Sequence, residues 1–404
     1  MSAIRRTRSR ALGRTAGFGA AALACAALFA AAPAAHATQP GDTAQGRAQH
    51  QGDRALSDHE ASTGPVFVQT DNPDGNAIVA YHRAADGTLT RDGIYPTGGR
   101  GGVLDGSVVD HLASQGSLAY DSRQGLLYAV NAGSDTVTVF AVHGDRLQRL
   151  QILGSGGSFP VSITFHGNLV YVLNALDGAS VQGFVRVGDR LVTVPEWNRS
   201  PGIDPTATPQ FTHTPGQISF TPDGTALVVT SKAAKGGAIG VTPLDSTGGP
   251  GGPTVFTPLP GAVPFGFVFD RAGRLQVTEA GPNAVATFTL GRDGKLTKTG
   301  ELPTGQQATC WITTAGSHLY ASNAGSGTLS GYAAAGGALT PLGTTSTDAG
   351  TVDAAASPDG HFLYAQTGAV GIVDEFRVEG DGSLTAIGSV TVPGAVGGEG
   401  IAAG

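Results

Sequence analysis

Seven positions, Thr70, Asn131, Asn174, Ser231, Glu279, Asn323 and Thr367, each close the same short apolar phrase, and only one of them is charged. Six are neutral polar residues of the kind that stitch a turn. Glu279 is a carboxylate, able to take a proton from a bound water as a general base. Lys232, directly after Ser231, is the one cation beside these positions. An ammonium group there can anchor a carboxylate or stabilise the oxyanion formed when a carbonyl is attacked. Facing a common site, the two would be base and anchor; the structural alternative is a salt bridge between neighbouring repeats.

Of the ten histidines, only His111 and His213 stand just ahead of a strand that can line a cavity. Each can act as a base or serve as a hydrogen-bonded loop residue. They belong to two long connections, residues 91–115 and 195–215, which also carry Asp105, Asp110, Trp197, Arg199, Asp204 and Phe211. Connections of this length inside a compact repeat are frequently functional. Trp197 can cover a sugar or aromatic ring, and Arg199 can hold an oxyanion. Gln217 and Asp353 on inner strands, Gln307 and Trp311 at the start of a later repeat, and Asn131 and Asn323 complete the expected ligand contacts. No metal site and no cofactor are expected, because the sequence has no HxxxH, no closely spaced His pair and no Cys pair. No serine lies in a GxSxG context, and Cys310 reads as a small apolar residue beside Trp311.

Charge narrows the partners. The 404 residues carry 24 Lys and Arg against 31 Asp and Glu, for a net charge of -7. Five of the arginines and none of the acids lie before residue 38, so the remainder has 19 basic residues and a net charge of about -12. A phosphate backbone is gripped by clustered Lys and Arg, which this chain lacks, so nucleic acid is not an expected partner. Arg5, Arg6, Arg8, Arg10 and Arg14, the apolar run Ala16 to Ala32 and Ala35-His36-Ala37 together read as a secretory signal peptide over 1–37, cleaved after Ala37. A twin-arginine signal is the weaker alternative, since Arg8 stands where an aromatic or aliphatic residue belongs. The expected product is secreted, monomeric and free of the membrane after cleavage. Residues 38–64, polar and nearly free of large apolar side chains, read as a disordered tail. One cysteine, Cys310, then remains, so no intramolecular disulfide can form.

What must position the polar residues is a repeat. Val66-Phe67-Val68-Gln69-Thr70, Leu127-Tyr128-Ala129-Val130-Asn131, Val170-Tyr171-Val172-Leu173-Asn174, Leu227-Val228-Val229-Thr230-Ser231, Leu275-Gln276-Val277-Thr278-Glu279, Leu319-Tyr320-Ala321-Ser322-Asn323 and Leu363-Tyr364-Ala365-Gln366-Thr367 recur about 43 to 61 residues apart. Glycine and proline, 63 and 23 residues, suit short strands and tight turns rather than helices. A strand and a turn such as Pro222-Asp223-Gly224 or Pro358-Asp359-Gly360 precede the phrase, and two strands around a turn such as Asp293-Gly294 follow it. Four strands per repeat make a blade, and seven repeats an all-β, seven-bladed β-propeller over 65–404. The first repeat starts at its second strand and the chain stops at Gly400-Ile401-Ala402-Ala403, so the C-terminal strand is expected to complete blade 1.

Pro264-Phe265-Gly266-Phe267, Val277-Thr278-Glu279-Ala280, Ala308-Thr309-Cys310-Trp311, Asn323-Ala324-Gly325-Ser326-Gly327 and Ser357-Pro358-Asp359-Gly360 resemble the secreted bacterial branch of the lactonase-like seven-bladed propellers, a superfamily that includes 6-phosphogluconolactonases and carboxymuconate cyclases. The resemblance spans residues 65–404 and implies a hydrolase that opens a lactone at the channel mouth. Glu279 or His213 would activate water, and Lys232 or Arg199 would stabilise the oxyanion. Fold does not dictate activity. The alternative is a non-catalytic extracellular propeller that recognises a glycan, peptide or small metabolite. Too few cations flank the strands for a phosphorylated substrate, and a redox propeller would need the Cys pair or clustered His that are missing.

Overall fold

The computed structural model describes residues 63–232, 236–335 and 338–404, so the segment 1–37 read as a signal peptide, and nearly all of the tail read over 38–64, lie outside the described residues. The rest is seven four-stranded antiparallel sheets, a seven-bladed β-propeller. Every apolar phrase is the second strand of its blade. These strands are Gly64–Gln69, Leu126–Asn131, Leu169–Asn174, Ala226–Ser231, Leu275–Glu279, His318–Asn323 and Phe362–Thr367. Inside them run Leu118–Asp121, Pro160–His166, Pro215–Phe220, Pro264–Phe269, Thr309–Ala315 and Thr351–Ala356, the inner strands of blades 2 to 7.

Blade 1 takes its inner strand from the C-terminus, as expected: Ile401–Ala403 pairs antiparallel with Val68, Phe67 and Val66. The Gln69 N–H extends that ladder to the Gly400 carbonyl at 2.8 Å. Closure leaves no inner strand edge open to another chain.

The second strands are apolar on both faces because each blade is sandwiched between two others. Leu127 and Ala129 pack with Phe67 and Ile78 of blade 1. Tyr128 and Val130 point the opposite way, against Val161 and Val170 of blade 3. Alternate residues of one strand thus serve two interfaces, which removes the in-out alternation of a sheet with one wet face. The turns follow the Asp-Gly reading. Gly224 and Gly360 hold φ of 71° and 75°, in the left-handed region open to glycine, and Asp223 and Asp359 accept the next-but-one backbone N–H.

The phrase tyrosines add a polar stitch between blades. Tyr171, Tyr320 and Tyr364 donate their hydroxyls to the carbonyls of Gly248, Gly382 and Gly87, each in the outer hairpin turn of the next blade, at 2.7, 2.8 and 2.7 Å. Tyr128 occupies the same place, but its buried hydroxyl has no partner among the described residues. Tyr364→Phe is therefore expected to lower stability by about 1–2 kcal/mol, having orphaned a buried carbonyl. Tyr128→Phe should cost nothing or stabilise slightly. Urea denaturation of the two variants measures the contrast, and equal losses would contradict it.

Candidate functional site at one mouth of the ring

In each blade the residues before the inner strand and after the second strand lie at the same end of the sheet, so one mouth of the ring collects them. The first long connection does not simply wall this mouth. It crosses it. The outer strand of blade 1 ends at Pro96 and the inner strand of blade 2 starts at Leu118; between them, Asp110 to Ser117 are largely buried. Ser114 donates its hydroxyl to the Val161 carbonyl of blade 3 (2.9 Å), and Gln115 N–H donates to the Gly216 carbonyl of blade 4 (3.0 Å). On the far side of the axis, the Gln115 side chain reaches the Ile312 backbone of blade 6. Its Nε2 donates to the carbonyl at 2.8 Å, and its Oε1 accepts the N–H at 3.0 Å. Trp311 Nε1 donates to the Ser114 carbonyl at 2.6 Å. Glycines make room for this segment: a Cβ on Gly266 would lie 2.1 Å from Gln115 Oε1, and one on Gly368 would lie 1.7 Å from the Val109 carbonyl oxygen.

Around this segment is a cluster of ionisable side chains, all nearly inaccessible to water: Asp71, Asp110, Asp353, Glu399 and Lys232. Lys232 Nζ donates to the Ala113 carbonyl at 2.5 Å and lies 4.9 Å from the centre of the Phe265 ring. Its charge counters burial at Asp110, whose carboxyl stands at about 6 and accepts the N–H groups of Leu112 and Ser114. Burial is also the main cause that pushes Asp71 up to about 8, with Asp110 adding repulsion. Asp353 is raised by burial to about 7 and Glu399 well above its usual range by burial and then by Asp353, Asp110 and Asp71. Asp353 and Glu399 act on each other within this cluster, and repulsion between neighbouring buried carboxylates favours their protonated forms.

The three residues read as catalytic engage separate partners. Glu279 pairs with Lys298, from the outer strand of its own blade, at 2.8 Å, and Lys298 also bonds Glu301. Burial raises the Glu279 carboxyl and Lys298 opposes that shift; its Oε1 has no donor among the described residues. His213 Nδ1 lies 2.9 Å from both the Pro209 carbonyl and Thr212 Oγ1 in its own loop. Lys232 alone reaches the axis.

The expected ligand contacts divide in the same way. Asp353 and Trp311 lie at the axis. Gln217 Oε1 accepts the Phe267 N–H at 2.6 Å and stitches blade 4 to blade 5. Asn131 and Asn323 cross-link their own blades through Thr138 and Ser330. His111 donates its backbone N–H to Gly397, and burial holds its ring below the usual histidine range with Nδ1 unpartnered. Gln307 is exposed. Trp197 stacks on Tyr171 with centroids 6.0 Å apart, and Arg199 Nη1 bonds the carbonyls of Glu196 and Asn198. Asp71, Glu399, Gln115 and Lys298 were not singled out from the sequence. Asp71 stands one residue beyond Thr70, the same offset as Lys232 from Ser231, and Glu399 is the only acid in the glycine-rich run before the closing strand. Those two signals were there to be used.

A cavity of about 670 Å³ lies at the opposite end, between the turns of blades 4 and 5, bordered by Asp223, Phe269 and Arg292. It holds neither the buried acids nor the buried ammonium found at the mouth. Among the described residues no group of three or more His, Cys, Asp or Glu is arranged to hold a metal. Because Gln115 satisfies both backbone groups of Ile312 across the axis, Gln115→Ala should cost about 2–4 kcal/mol. It should also expose residues 110–115 to protease, read by limited proteolysis; an unchanged digestion pattern would contradict the bridging role.

No family pattern and no curated protein matches the chain in sequence. Solved structures do match it. The periplasmic gluconolactonase of Pseudomonas aeruginosa aligns with a TM-score of 0.67 at 19% identity, over 85% of this chain and 99% of its own. A candidate 6-phosphogluconolactonase from Bacteroides fragilis aligns at 0.65 and 19%, over 87% and 99%, and one from Bacteroides uniformis at 0.67 and 16%, over 85% and 99%. At these identities the likeness shows the fold alone, a seven-bladed β-propeller that these proteins share.

Proposed function

We propose that the chain is an exported, monomeric hydrolase of the lactonase-like propeller type that opens a small cyclic ester at this mouth. The observation that carries the reading is an ammonium group, Lys232, buried in the same cluster as the Asp353 and Glu399 carboxyls. Lys232 would stabilise the oxyanion formed when water attacks the lactone carbonyl. The ionised member of the Asp353–Glu399 pair would take the proton from water, and the protonated member would return one to the leaving ring oxygen. Lys232 and Glu399 bond to residues 113 and 116 of the crossing segment, so substrate access to them requires that segment to move. Four carboxyl groups to one ammonium disfavour a phosphorylated lactone and suit a neutral, carbohydrate-like one. Structural neighbours named as a gluconolactonase and a candidate 6-phosphogluconolactonase agree with a lactone substrate class. The same hydrogen bonds that seat residues 110–115 favour a second reading, a binding propeller that recognises a glycan, peptide or small metabolite on its rim.

A panel of γ- and δ-lactones followed by pH-stat separates the two. Hydrolysis that falls about 100-fold or more in kcat/KM with Lys232→Met supports the enzyme. A comparable loss with Glu279→Gln would move the base to blade 5, where the sequence suggested it. No hydrolysis by the native protein, together with a glycan or peptide that raises its melting temperature, would leave the binding reading. Export has its own check: N-terminal sequencing of protein recovered from the medium should begin at Thr38, and an intact N-terminus would contradict cleavage after Ala37.

A further inference from the structure

Glu399 is wholly buried just ahead of the strand that closes the ring. Its backbone N–H donates to Asp71 Oδ2 of blade 1 at 2.8 Å, and its carbonyl accepts Ser117 Oγ of blade 2 at 2.8 Å. Its Oε1 accepts the Gly116 N–H at 2.7 Å, and its carboxyl meets Asp353 of blade 7. One residue therefore joins the first, second and last blades at the seam. The ionisable groups that face it are Asp71 from blade 1, Asp353 from blade 7 and Asp110 from the crossing segment, with Lys232 of blade 4 beyond Asp110. His111, on that same segment, donates its backbone N–H to the Gly397 carbonyl and lays its ring against Gly397, where a Cβ would lie 2.1 Å from the ring.

The seam has more acceptors than donors. Glu399 Oε2, Gln69 Oε1 and Gln366 Oε1 are buried with no donor among the described residues. The amide nitrogens of the two glutamines are already used, by Asp71 and Ser117 and by the Gln69 carbonyl. Buried acceptors without donors are costly, and several buried carboxylates together more so. Protons on the carboxyls relieve both.

We propose that the cluster around Glu399 is a pH-sensitive clasp: protonated, it holds the C-terminal strand in blade 1, and loss of its protons releases that strand and opens the ring at its seam. The inference does not require the mouth to be catalytic. Unfolded, these carboxyls titrate near 4; folded, Asp110, Asp353 and Asp71 stand at about 6, 7 and 8, with Glu399 also raised. The folded ring thus holds protons that the unfolded chain has lost. The stability they contribute is complete below the unfolded values and is lost as pH rises through about 6 to 8. His111, held neutral by burial, contributes the opposite slope on the acid side.

Hydrogen exchange of the chain between pH 5.5 and 9, corrected for intrinsic rates, tests the clasp. The peptide 395–404 should lose protection about tenfold per pH unit for each proton released, while peptides from blades 4 and 5 keep theirs. Glu399→Gln keeps an acceptor for Gly116 and cannot ionise, so its C-terminal peptide should be at least tenfold better protected than the native one at pH 8.5. Asp71→Asn provides the same comparison should Glu399→Gln fail to fold. Protection that is independent of pH, or an identical pH profile in a folded variant, would overturn the proposal. So would calcium restoring native protection at pH 8.5, because a cation and not protons would then neutralise the acids.

Discussion

The ring is closed by three residues. Among the described residues, Ile401, Ala402 and Ala403 against Val68, Phe67 and Val66 form the one strand ladder between the C-terminal segment and blade 1. A ladder this short cannot hold the ring closed by backbone pairing alone, since each hydrogen bond contributes on the order of 1 kcal/mol net. Apolar packing of Val66, Val68 and Tyr81 against Phe362 and Tyr364 of blade 7 adds to it, and so do the residues just before the ladder. Gly400, Glu399 and Gly397 tie the closing segment to Gln69, Asp71, Ser117 and the crossing segment at His111. The seam and the filled mouth are one structure.

That explains why polar groups gather where an apolar core would be easier to build. The inner strands of blades 3, 4 and 6 meet the crossing segment at this mouth. Residues 110–117 fill it with backbone, which brings carbonyls and N–H groups that must be satisfied. Gln115, Trp311, Ser114 and Lys232 do so. The acids accept the N–H groups of Leu112, Ser114, Gly116 and Glu399. Carboxyls chosen for their acceptor capacity are then left close together and dry, with one ammonium beside Asp110. The potential for proton transfer is a consequence of that packing.

The fold was legible in the sequence because its information is repeated: seven copies of Leu-Tyr-Ala-type phrases with Asp-Gly turns at fixed offsets leave little freedom, and the complementary ends specified the closure. The site was legible in part. Placement alone picked out Lys232 after a second strand, Asp353 on an inner strand and Trp311 at the entry to blade 6, and all three lie at the mouth that the crossing segment fills. Placement does not find direction. Glu279 occupies the right position, but its side chain turns outward to Lys298, a partner nineteen positions away whose reach only the outer strand of blade 5 sets. Nor does it anticipate that the connection over 91–115, read as a wall, folds into the axis. The glycines that admit it, Gly266 and Gly368, look like any others among 63.

The most direct test of the claim that buried carboxyls at the seam are protonated is the infrared spectrum of the protein in D2O, compared with that of Glu399→Gln. A carboxylic-acid C=O band at pH 6 that fades as pH rises past about 8 and is reduced in the variant is the predicted result. A native spectrum with no such band at pH 6, showing every buried carboxyl ionised, would contradict it.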